Sequence, residues 1–153
     1  MFQNKVWFRS SATVFLLFMG ACNSKPLVSS DPKQVLTEYI SVSFSAKVPQ
    51  DRNRLISFLT GETKQRMQNW SDDQFLLAFV ENKRKFVKLA FKEIKSMSES
   101  EYLITYDLVY DTPTARVTHR KLAQLLKPQS EWLISDVKNI KEVVEYRNEL
   151  SFP

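Results

Sequence analysis

The residues able to do chemistry are few. Asp107 is the one carboxylate in the middle of Glu101–Asp111, a segment that also holds Tyr102, Tyr106 and Tyr110. A carboxylate of this kind can serve as a general base, and phenols can donate hydrogen bonds beside it. Strand alternation separates them. It puts Tyr102, Ile104, Tyr106, Leu108 and Tyr110 on one face, with Thr105, Asp107 and Asp111 on the other. Asp107 is therefore expected on a solvated outer face, out of reach of the tyrosines. His119, the only histidine, is flanked by Arg116, Arg120 and Lys121, which would repel a metal ion, and is expected at the surface of a basic strand. Of two glycines, only Gly61 follows the N-terminal segment, so phosphate-cradling loops and the Gly-x-Ser-x-Gly nucleophile elbow are excluded. No catalytic residue, metal or cofactor is expected.

Binding chemistry has more material. Trp70, Phe75, Phe79, Tyr102, Tyr106 and Trp132 can line a pocket, or fill the core of a domain without disulfides. Core filling is the stronger expectation, with tyrosine hydroxyls facing any remaining cavity. Lys83, Arg84, Lys85, Lys88 and Lys92 form a basic cluster. It can face anionic lipid headgroups, or it can be a solvated strand edge that discourages aggregation.

The elements that must position these residues read as helices first and strands afterwards. Ser30-Asp31-Pro32 is a helix start, and Val35, Leu36, Tyr39, Ile40 and Phe44 follow at helical spacing to about Ala46. Ile40–Phe44 also alternates like a strand. Asp51 can cap a second helix, with Gly61 as its stop. Glu62–Trp70 has helical composition, and Ser71 with Gln74 matches a capping box before Phe75, Leu76, Phe79 and Val80. From Lys83 the period changes to two. Strands are expected around Val87–Phe91, over Glu101–Asp111, over Ala115–Leu126 and over Trp132–Ile140, with turns at Asp111-Thr112-Pro113 and Lys127–Ser130. This order predicts an α+β fold with N-terminal helices packed on a curved antiparallel sheet of about four strands.

The N-terminal segment speaks to location. Lys5 and Arg9 precede a short apolar run, Ala12–Met19, and small residues lead into Cys22. These are the parts of a secretory signal peptide, and the run is short of the ~20 residues a spanning helix needs. Met19-Gly20-Ala21-Cys22 resembles a bacterial lipobox, although Met19 stands where that pattern prefers leucine. The resemblance implies a signal peptide over 1–21, acylation of Cys22, and a lipid anchor in the cell envelope. Asn23 after the cysteine favours the outer membrane, facing the periplasm. Acylation would leave no thiol for a disulfide or a metal. Residues 22–30 would be a tether, with Asn23–Ser30 spanning at most about 28 Å. Without Lys5 and Arg9 the charge is about +3, which is no signature of nucleic-acid binding.

The layout is also similar to the nuclear transport factor two-like superfamily, the α+β cone also called cystatin-like. Asp31-Pro32-Lys33-Gln34-Val35-Leu36 opens the first helix as such domains do, and Trp132-Leu133-Ile134-Ser135-Asp136-Val137 matches their closing strand. The resemblance covers about 31–142, leaving 143–153 as a charged tail that can extend the strand or form a short helix. It implies a curved sheet wrapped around the first helix with a pocket between them. That superfamily includes enzymes, transport adaptors and members with no known activity, so the resemblance alone does not decide function. The residues do: without a catalytic group on the aromatic face, a non-catalytic binding or scaffolding domain is expected, monomeric, whose partner is an envelope protein or a small apolar ligand. The alternative is an enzyme of the ketosteroid isomerase-like type with a pocket acid/base. Members of that type use a buried aspartate, and Asp107 is expected on the wrong face for it.

Overall fold

Asp31 accepts a hydrogen bond from the Lys33 amide at 2.9 Å, and Pro32 follows where its missing N–H is not needed. The first helix, α1 (Pro32–Ser45), starts there. The computed structural model describes residues 31–147. The signal-type segment, Cys22, the tether and residues 148–153 lie outside the described residues.

Helix wins over strand at Ile40–Phe44. The α1 side that carries Val35, Leu36, Ile40 and Ser43 is buried, and Ser43 donates its hydroxyl back to the Ile40 carbonyl at 2.7 Å. Pro49 opens a single 3₁₀ turn (Pro49–Asp51), and α2 (Arg52–Ile56) follows. Gly61 does not stop α2. It opens α3 (Gly61–Gln68) at φ +59°. The reason is a tie to the sheet just before it. The Ile134 amide donates to the Phe58 carbonyl at 2.8 Å, and the Thr60 amide donates to the Ile134 carbonyl at 2.9 Å. Leaving that tie for a helix needs the left-handed turn that glycine allows.

The capping box at α4 (Asp72–Leu76) forms in both directions: Gln74 amide to Ser71 hydroxyl, and Ser71 amide to Gln74 side chain. Beyond Leu76 the helix widens into a π turn, Leu77–Glu81. Asn82 then donates to the Leu77 carbonyl at 2.8 Å, and Lys83 takes φ +44°. Among the described residues no helix is long and apolar enough to cross a membrane.

The sheet runs β1 (Lys85–Ser98), β2 (Glu101–Asp111), β3 (Ala115–Leu126) and β4 (Leu133–Tyr146), antiparallel and in sequence order. An α+β fold with helices on an antiparallel sheet is thus present. β2 and β3 pair without interruption. β1 carries an extra residue against β2, as between Phe91 and Glu93, and β4 one against β3, between Asn139 and Lys141; such shifts bend strands and blur their alternation. β4 continues past Glu142 to Tyr146, so the expected boundary at 142 falls inside a strand. The core lies between the helices and one face of the sheet. Leu36, Leu55 and Phe75 meet Ile104, Ala123, Leu125 and Ile134, all fully buried.

Candidate functional site: a basic aromatic cleft

Beside that core the helices and sheet do not close completely. A half-open cavity of about 410 Å³ lies between α1, α3, the π turn and the sheet face that carries the core. Tyr106 and Leu108 from β2 form part of its wall. Alternation places them there, on the face predicted to be apolar. Trp70 and Phe79 close another side, 6.0 Å apart between ring centres. Trp70 is fixed through its carbonyl, which accepts from Arg52 Nη1 at 2.6 Å. Three of the six expected aromatics, Trp70, Phe79 and Tyr106, therefore line the cavity.

The other three do not. Phe75 is fully buried, because it is the apolar anchor of the short α4. Tyr102 and Trp132 meet edge to face at 5.1 Å at another part of the sheet, with Lys127 Nζ 5.7 Å from the Trp132 ring centre. They act as core there.

Among the described residues the cleft carries three cations, Arg66, Arg84 and Lys121, and no carboxylate lines it. Arg66 is mostly exposed and weakly paired with Asp136 at 3.9 Å. Arg84 is different. Its guanidinium carbon sits 5.3 Å from the Phe44 ring centre, 5.6 Å from Phe79 and 5.7 Å from Tyr110. These rings hold the cation by its faces, while Nε is buried without a hydrogen-bond partner among the described residues. The basic cluster expected over residues 83–92 is thus divided, with Arg84 turned into the cleft. The left-handed Lys83 precedes it in the turn that makes this possible.

β3 brings Lys121 and His119 to the face that carries Tyr106 and Leu108, since His119 pairs with Leu108 and Lys121 with Tyr106. This corrects the surface position expected for His119. Its side chain is only 12% exposed, and Nε2 lies 2.8 Å from Glu142. It also packs on Tyr110, ring centres 5.6 Å apart. Burial first, and then Lys121, push the His119 pKa down, with Glu142 opposing. A neutral imidazole donating to Glu142 is the form this favours. Burial likewise lowers Lys121, with Arg84 adding to it. Burial raises the phenols of Tyr39, Tyr106 and Tyr110, which remain neutral donors.

Asp107 lies on the opposite face, as alternation predicts. It is not a free solvated carboxylate. Arg120 grips it through two bonds of 2.8 and 3.1 Å, and Lys92 Nζ approaches to 3.4 Å. Those partners hold its pKa below the ordinary value, Arg120 most strongly. An aspartate so paired is a poor base. Among the described residues no group of three or more His, Cys, Asp or Glu is placed to hold a metal ion.

Arg84 and Lys121 were not singled out from sequence as cleft residues. The signal for Lys121 was present: Val117, His119, Lys121, Ala123 and Leu125 alternate onto the face that carries the core. The basic flanks of His119 outweighed it. Arg84 sits in a connector, where no periodicity applies.

Comparison with protein-family models and with curated proteins finds no match. Among solved structures, the chain is similar to a SEC-C motif containing protein from Rhodopseudomonas palustris, with TM-score 0.55 and 13% identity, covering 73% of this chain and 80% of that one. At that identity the likeness concerns the fold alone.

Proposed function

We propose that this protein is a membrane-anchored envelope lipoprotein whose domain, of the nuclear transport factor two-like cone type, binds a small ligand without converting it. The observation that carries the binding half is the cavity: about 410 Å³, walled by aromatic rings and within the size range of small-molecule sites. The anchoring half rests on the lipobox-like Met19-Gly20-Ala21-Cys22. Mass spectrometry of membrane-extracted protein should find a chain that starts at Cys22 with two or more acyl chains, enough for stable anchoring. Cys22→Ala should move the protein out of the membrane pellet, and recovery there at wild-type level would sink the anchor.

An acid–base enzyme is the alternative, and one observation favours it: His119 shares the sheet face that borders the cleft and is oriented by Glu142. Under the binding function, neither His119→Ala nor Asp107→Asn should reproduce the phenotype of deleting the protein in its own bacterium. Loss of function from His119→Ala, with folding and attachment intact, would favour the enzyme.

A further inference from the structure

We infer that the cleft selects a small amphipathic anion: a flat or compact apolar body carrying one carboxylate-like group that Arg84 and Lys121 hold together. This deepens the binding function proposed above and rests on it. Three observations converge. The first is charge without compensation. Among the described residues three cations and no carboxylate line the cavity, and neither Arg84 nor Lys121 has an ion-pair partner. Glu142 acts on Lys121 only at longer range, and its own carboxylate is 2.8 Å from His119. Two like charges facing one half-desolvated space repel each other, and an anion between them turns that repulsion into attraction on both sides.

The second observation is preorganisation. Arg84 is clamped by the rings of Phe44, Phe79 and Tyr110, so its guanidinium is held in place before any ligand arrives. A guanidinium is a planar fork of five N–H donors, and its buried Nε has no acceptor among the described residues. Such a fork matches the two oxygens of a carboxylate, and Lys121 adds a point charge from the sheet side. The third is the rest of the wall. Trp70, Phe79, Tyr39 and Tyr106 offer ring faces and edges, which suit an apolar body rather than a bare inorganic ion. Together they distinguish this cleft from a greasy pocket with no preference in charge.

The test uses an isosteric pair, naphthalene-2-carboxylate and its neutral carboxamide, titrated calorimetrically into the full chain. The protein is held in phosphatidylcholine nanodiscs, with empty nanodiscs as the blank. The carboxylate should bind about tenfold or more tightly than the carboxamide, a charge-assisted hydrogen bond being worth at least that factor. Arg84→Gln and Lys121→Gln should each reduce that preference, and a near-UV circular dichroism spectrum like that of the parent protein certifies an intact fold. Should Arg84→Gln fail to fold, Lys121→Gln still decides. Equal binding of both probes, untouched by either variant, overturns the anion selectivity and leaves the binding function standing. Inorganic phosphate that binds as tightly as the naphthoate overturns the apolar half. Binding of neither probe removes the pocket function and this inference with it.

Discussion

At Trp132 and at His119, residues equally rich in chemistry have opposite fates. Trp132 is 5% exposed and meets the Tyr102 ring edge to face, so it serves packing. Trp132→Ala should destabilise the fold by about 3–5 kcal/mol. A change below about 1 kcal/mol in a denaturant titration would mean that this contact is not part of the core. His119 shows what residue-level reasoning can miss. Its sequence neighbours Arg116, Arg120 and Lys121 are basic, and proximity in sequence argued for a solvated position. In a strand, however, Arg120 points to the opposite face, where Asp107 holds it. The neighbours that matter to His119 are Tyr110 and Glu142, and cross-strand pairing brings those in. Asp107 was legible because one alternating run settled its face. Arg84 was not, since its environment is assembled from α1, the π turn and β2.

At the scale of elements, capping and alternation made most boundaries legible: α1 from Asp31-Pro32, α4 from Ser71 and Gln74, and β2 and β3 at their expected limits. What escaped were places where the backbone departs from regular geometry for a tertiary reason. Gly61 and Lys83 are the two described residues with positive φ, at +59° and +44°. A Cβ at Gly61 would meet no atom within 4 Å, so Gly61→Ala tests backbone conformation alone. It should cost about 1 kcal/mol. Lys83→Gly should be neutral or stabilising by up to about 1 kcal/mol, because glycine relieves the left-handed strain while adding freedom to the unfolded chain. Chemical denaturation of both variants measures this. An unchanged midpoint for Gly61→Ala would place that residue outside the left-handed region.

At the scale of the whole molecule, stability should respond to acid in two steps. His119 is held neutral, with its pKa depressed below the ordinary ~6.5, so the unfolded chain takes up its proton first. Stability therefore begins to fall as pH drops below about 6.5. A second loss comes from carboxylates with lowered pKa. Arg116 and then Arg147 hold Asp111 down to about 2. Arg120 and Lys92 depress Asp107, and the Lys47 and Val48 amides depress Asp51. Their contribution is complete above the unfolded carboxylate value near 4 and disappears as pH falls toward 2. Urea midpoints measured from pH 7 to 2 should show both steps, and Asp111→Asn should flatten the lower one. A midpoint constant between pH 4 and 2 would mean these ion pairs are not formed. The backbone tie between Phe58–Thr60 and Ile134 has a consequence in time rather than in energy. It joins the helical half to β4, the last strand of the sheet. A chain emerging from its N-terminus presents α1 to α4 first, yet the strand that ties them to the sheet follows only after β1, β2 and β3. The core around Leu36, Leu55 and Phe75 stays incomplete until Ile134 of β4 joins Ile104, Ala123 and Leu125 in it. Long-range closure of this kind slows folding. Completion of the cleft is accordingly a late event, and the molecule acquires its binding surface only when its final strand has docked.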